Sequence, residues 1–210
     1  MNAQEKEINY TTSNSYSTLN TLTKDTKNVW FVCHGMGYLS RYFLMYFKGL
    51  NAQDNYIIAP QAPSKYYIQP KMHVGANWLT RDETETGMQN ILKYFDAIFE
   101  AETIPEHCNL IILGYSQGVS VAMRYIAHRK LNCSQLVLHS GGIPKELNTE
   151  DFDHFKGKVS IVYGTEDEYL NEERIAYETK RANELFGDVL KVIPFDDKHI
   201  VNVDIINSLV

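Results

Sequence analysis

The sequence predicts an α/β fold, a mostly parallel sheet with helices on both faces. Short apolar runs alternate with helical stretches of about 10 to 15 residues, the pattern of repeated strand–helix units. The run Asn28–Cys33 (NVWFVC) is almost continuously apolar, as expected of a strand covered on both sides. The 210 residues, 44% hydrophobic and 22% charged, suit one globular domain over 1–210 with a single core.

Taken in order, Ile8–Thr12 and Tyr16–Leu22 are polar but rich in Tyr and Thr, and read as two exposed strands joined near Ser13 and Asn14. Asn28–Cys33 is the first buried strand. Leu39–Leu50 carries apolar residues at helical spacing, and Tyr56–Ala59 is a short strand closed by Pro60. From Pro60 to Thr80 no period is visible and prolines stand at 60, 63 and 70, so the segment reads as a long loop. Met88, Ile91, Leu92, Phe95, Ile98 and Phe99 mark the packed face of a helix. Leu110–Leu113, Gln135–His139, Val159–Tyr163 and Val189–Ile193 read as further strands. Helices are expected from the residue after Ser116 to about Arg129, from about Asn171 to Phe186, and after His199. In such sheets ligands sit at the carboxyl ends of the strands.

Composition narrows the function classes. Twenty basic against 26 acidic residues give a net charge of −6, which argues against nucleic acid as the main partner. No apolar run reaches the length of a membrane span, and the first twenty residues hold no signal-peptide core. Cys33, Cys108 and Cys133 are odd in number and widely spaced, which implies reduced thiols, a cytoplasmic setting and no cysteine metal site.

The sharpest chemical signal is Gly114-Tyr115-Ser116-Gln117-Gly118, between a strand (LIIL) and a helix (VSVAMRYIAHR). A serine on so abrupt a turn exposes its hydroxyl, and glycines two before and two after relieve the crowding. Such a serine needs a base, and the base an orienting acid. In this architecture the order is Ser, acid, His. His154 precedes the strand whose end should carry the acid, which leaves His199. After that strand the chain reads Gly164-Thr165-Glu166-Asp167-Glu168. Spacing alone leaves the three acids open, and the short side chain of Asp167 suits a fixed bond to imidazole. Cys33-His34-Gly35-Met36-Gly37 ends the first buried strand, and its glycines let the backbone aim an N–H inward. Met36 is the expected donor, with the N–H of Gln117, for an oxyanion; His34 reads as a structural residue shaping this turn.

These residues resemble the alpha/beta-hydrolase family of small carboxylesterases, phospholipase-like esterases and acyl-protein thioesterases. The resemblance spans about Val29 to Leu209 and rests on HGMG (34–37), PQAPS (60–64), NWLT (77–80), GYSQG (114–118), HSGG (139–142), YGTED (163–167) and KHIV (198–201). It implies an alpha/beta-hydrolase fold with Ser116 as nucleophile, Asp167 as acid, His199 as base, and Met36 and Gln117 as oxyanion donors. It also implies that Trp78 stands near the acyl pocket. The chain departs from the family pattern at Tyr38, where an Asp is usual, at Val119, where a second Gly is usual, and at Lys198, where a Gly commonly precedes the late His. The short chain leaves little room for a lid.

The resulting expectation is a serine hydrolase acting on small-molecule esters or thioesters, with no metal and no organic cofactor. Tyr66, Tyr67 and Trp78 are the candidate linings of its acyl or alcohol side. Amide cleavage by the same residues and ligand binding without catalysis on a hydrolase scaffold are the alternatives. Oligomeric state, a homodimer included, is left open.

Overall fold

The structure is a computed structural model that describes residues 3–210. Seven strands form the main sheet: β1 (Tyr16–Leu19), β2 (Asn28–Cys33), β3 (Asn55–Pro60), β6 (Asn109–Tyr115), β7 (Gln135–His139), β8 (Lys158–Gly164) and β9 (Leu190–Phe195). Their order across the sheet is β1-β3-β2-β6-β7-β8-β9. Only β1 runs antiparallel to its neighbour; all other pairs are parallel. The expected α/β architecture is the one observed.

Alternation along the buried strands sorts the core into two layers. Val29, Phe31 and Cys33 of β2 face one way with Ile112, Leu136, Leu138, Val159 and Ile161. That layer is covered by α2 (Thr84–Glu102), α3 (Gln117–Arg129) and α4 (Glu172–Phe186). Trp30 and Val32 face the other way with Leu113, Val137 and Val162, beneath α1 (Ser40–Phe43), the 3-10 turn Leu44–Phe47 and α5 (Val203–Ser208). Burial on both sides explains why β2 and β3 are apolar after their first residues, Asn28 and Asn55.

Several segments differ from their sequence reading. Ile8–Thr12 forms no strand: Ile8 and Tyr10 are 85% and 83% exposed, and β1 alone occupies the free edge of β3. Leu39–Leu50 is not one helix but a single α turn followed by a 3-10 turn, which brings Phe43, Leu44, Phe47 and Leu50 onto the sheet. The supposed loop after Pro60 contains a hairpin, β4 (Ser64–Ile68) and β5 (His73–Asn77), paired Tyr66 to Gly75 and Ile68 to His73. β4 is exposed along its whole length, so it carries no apolar alternation to be read. β9 includes Pro194, which an edge strand tolerates because one side of it pairs with nothing.

Candidate active site

The carboxyl ends of β2, β6, β7 and β8 converge. β2 and β6 finish side by side with Cys33 opposite Gly114, so the turns that follow them meet. At Ser116 the backbone has φ 52° and ψ −119°, a strained geometry for a residue with a side chain. It ends β6 and starts α3 within one residue. The two flanking glycines are sterically required: a Cβ on Gly114 would stand 2.4 Å from Val119 Cα, and one on Gly118 would stand 2.0 Å from the Cys33 carbonyl oxygen. The turn is anchored by the Ser116 N–H donating to the His139 carbonyl at 2.8 Å.

Ser116 Oγ lies 3.0 Å from His199 Nε2. His199 Nδ1 donates to Asp167 Oδ2 at 2.6 Å. The other carboxylate oxygen, Oδ1, accepts the N–H groups of Tyr169 at 2.8 Å and Leu170 at 3.0 Å. The Asp167 side chain is wholly buried and the imidazole 14% exposed. Glu166 and Glu168 are both exposed. Burial and hydrogen bonding thus separate three acids that spacing could not. His199 is held further by Tyr115, whose hydroxyl donates to its carbonyl at 2.9 Å, and by the Tyr169 ring, edge-on at 4.9 Å. It lies in the loop between β9 and α5 rather than at the helix start, because Asn202 caps that helix.

The HGMG turn passes against this serine: a Cβ on Gly35 would lie 3.1 Å from Ser116 Cβ. Gly37, at φ +87°, donates its N–H to the Ala76 carbonyl at 2.8 Å and so fastens the turn to β5. Among the described residues no backbone carbonyl accepts the Met36 N–H. Gln117 is the first residue of α3, so its N–H has no acceptor within the helix. Both N–H groups belong to turns that adjoin Ser116, and among the described residues neither has a backbone acceptor.

Residues 14–204 match the model of a family described as Phospholipase/Carboxylesterase. The chain belongs to that family. No curated relative matches it. Solved structures resemble it along nearly its whole length, among them acyl-protein thioesterase 2 of Zea mays (16% identity, 94% of this chain and 96% of that one, TM-score 0.70). A phospholipase/carboxylesterase of Dyadobacter fermentans covers 95% and 97% at 18% identity with TM-score 0.67. The Bacillus cereus carboxylesterase covers 93% and 91% at 15% identity, also with TM-score 0.67. At these identities the likeness establishes the alpha/beta-hydrolase fold.

The three departures from the phospholipase/carboxylesterase pattern are accommodated locally. Val119 packs in the core, and a Cβ on Gly141 would meet its Cγ2 at 2.4 Å, so the side chain fits because position 141 has none. Tyr38 replaces a carboxylate with a ring packed edge-on to Phe43 and Tyr115, its hydroxyl 3.2 Å from that of Tyr46. Lys198 is exposed.

Two of the expected lining residues stand elsewhere. Trp78 is 2% exposed, its indole N–H donates to the His34 carbonyl at 2.7 Å, and its ring meets His34 and Phe95. It braces the HGMG turn from beneath and presents no face to a substrate. Tyr67 points to the opposite side of the hairpin from Tyr66, as alternation along β4 requires. Tyr66 lies against the HGMG turn: its hydroxyl is 3.7 Å from where a Cβ on Gly37 would be. A role that the sequence does not announce belongs to the Gln117 side chain. It donates to Asn77 Oδ1 at 2.6 Å and to the Leu79 carbonyl at 2.8 Å, and accepts the Trp78 N–H at 3.0 Å, which ties the start of α3 to the end of β5.

His34 and His139 are structural. His34 donates from Nδ1 to the Gly35 carbonyl and accepts the Ala62 N–H at Nε2. His139 accepts the Asn202 N–H at Nε2, so its Nδ1 donates to Ser140 Oγ. Burial pushes His34 down to about 4 and His139 down to about 3. Both nitrogens of His139 are engaged in the neutral form. The sign of the linkage follows. Their folded values lie below the unfolded value of about 6.5, so the stability they allow is complete above that pH and is lost as pH falls below it. Two such groups give stability a positive slope against pH between about pH 6 and pH 4. Denaturant titrations across that range should show the slope. Imidazole NMR signals that titrate above pH 6 for either residue would contradict it.

Proposed function

We propose that this protein is a serine hydrolase that cleaves carboxylic esters or thioesters through an acyl-enzyme. The observation that carries the reading is the continuous chain of contacts from Ser116 Oγ through His199 to Asp167, at 3.0 Å and 2.6 Å. His199 Nε2 takes the hydroxyl proton as Oγ bonds to the acyl carbon. The carbonyl oxygen, now an anion, accepts the N–H groups of Met36 and Gln117; one such donor is typically worth about 10² to 10³ in rate. His199 then passes its proton to the departing alcohol or thiol, and that bond breaks. Water repeats the sequence on the acyl-enzyme, again with His199 as base, and releases the acid. Asp167 holds the imidazole with its proton on Nδ1 and balances the charge that develops on the ring. Tyr66 lines the entrance on the side of the HGMG turn.

A fluorophosphonate probe tests the reading directly. The intact protein should be labelled covalently at Ser116, with stoichiometry near one and loss of activity toward 4-nitrophenyl acetate in step. Peptide mapping that finds the label on another residue, or no label at all, rejects it.

A further inference from the structure

Beside the Met36 and Gln117 N–H groups a groove of about 470 Å³ opens between α3 and the segment joining β5 to α2. Gln117, Ser120 and Arg124 line one wall, on a single face of α3. Thr80 and Arg81 line the other. The groove begins where the acyl oxygen would sit, so an ester bound at Ser116 extends one of its two arms into it.

Its two cations are in different states. Arg124 donates from Nε to Glu146 at 2.7 Å and from Nη1 to Ser120 Oγ, so its charge is already matched. Arg81 is exposed and, among the described residues, makes neither an ion pair nor a side-chain hydrogen bond. Its backbone is nonetheless fixed: Thr80 Oγ1 donates to the Asp82 carbonyl at 2.8 Å, and Thr84 Oγ1 to the Thr80 carbonyl at 2.7 Å. Asp82 and Glu83 follow it in sequence but do not line the groove. The cation is not a by-product of a basic surface, since the chain carries −6. Met36 and Leu79 give the groove an apolar stretch next to the polar side chains of Asn77, Thr80, Thr84 and Ser120, so it suits an arm with a short apolar stem and a polar head. A carboxylate head would meet an unpaired guanidinium, with the Ser120 hydroxyl and the Asn77 amide as the donors not already committed to carbonyl groups.

We infer that this groove selects esters that carry a carboxylate, with Arg81 as the residue that recognises it; the inference rests on the hydrolase reading above. The acyl arm or the alcohol arm can carry the charge, and paired substrates distinguish them. Mono-4-nitrophenyl glutarate against its methyl ester places the charge on the acyl side. 4-Acetoxybenzoate against methyl 4-acetoxybenzoate places it on the leaving side. For each pair the ratio of kcat/KM, charged over neutral, is measured in wild type, Arg81→Gln and Arg81→Lys, with folding checked by circular dichroism. In one pair the ratio should drop about tenfold in Arg81→Gln, the scale of one charge-assisted hydrogen bond, and be largely kept in Arg81→Lys. The same ratio should decline in wild type as salt is raised. Ratios unchanged by Arg81→Gln in both pairs overturn the inference and leave the hydrolase reading intact. No turnover of either neutral ester by wild type rejects the hydrolase reading itself, and the inference with it.

Discussion

Ser116→Ala is expected to lower kcat for a 4-nitrophenyl ester by about 10⁵ to 10⁶, the scale seen when the nucleophile of another serine hydrolase is removed. It should also abolish fluorophosphonate labelling. The fold should survive. The serine hydroxyl bonds only to His199, and the bond that holds the turn comes from the backbone N–H, which alanine keeps. The φ of 52° is as strained for alanine as for serine, so the change adds no new backbone cost. A shift of the thermal midpoint within a few degrees is the expected control. Any residual rate should stay above that of water, because the Met36 and Gln117 N–H groups proposed to hold the oxyanion are untouched by the change. A folded Ser116→Ala protein with wild-type turnover would mean that another group attacks the ester, and the hydrogen-bonded chain through His199 would be structural.

What could be read from the sequence divides along physical lines. β2, β6 and β7 are covered on both faces, so their composition alone marks them, and the glycines around Ser116 are dictated by contacts of 2.0 to 2.4 Å that no other residue tolerates. These constraints are local, and local constraints leave a trace in the sequence. His199 was found by chain order, which the topology of the sheet enforces. The hairpin β4–β5 left no trace because β4 is open to water along its length and its pairing depends on Gly37 docking against β5. The opposite error was made at Ile8–Thr12, where β-forming residues have no neighbouring strand to pair with. Trp78 is ambiguous in the sequence for a related reason. A tryptophan near a loop fits a pocket wall or a core, and only the bond to the His34 carbonyl distinguishes them. Asp167 lies between these cases: bare spacing left three acids, and the burial of one against the exposure of two is a tertiary fact.

That tertiary fact has a kinetic consequence. Asp167→Asn is expected to lower kcat by about 10⁴, as the equivalent change does in a different triad enzyme, while Glu166→Gln and Glu168→Gln stay within about twofold of wild type. The reason lies in how the carboxylate is held. Oδ1 accepts two backbone N–H groups, from Tyr169 and Leu170, and so demands an acceptor. An asparagine here must turn its carbonyl oxygen to those donors, which leaves its NH₂ facing His199 Nδ1. A donor facing Nδ1 forces the imidazole to carry its proton on Nε2. That nitrogen then points a hydrogen at Ser116 Oγ and cannot accept the hydroxyl proton. The side chain keeps its volume and all its backbone hydrogen bonds, so the fold and the site's shape persist while the base is lost. Asp167→Ala would be a poorer test, since it orphans two buried N–H groups and confounds activity with stability. In Asp167→Asn, activity should recover partly at high pH, where hydroxide takes the Ser116 hydroxyl proton in place of the imidazole. If Glu168→Gln gave the large loss and Asp167→Asn remained near wild type, the acid that orients His199 would be the exposed one. The two-donor cradle around Asp167 would then be only a loop lock.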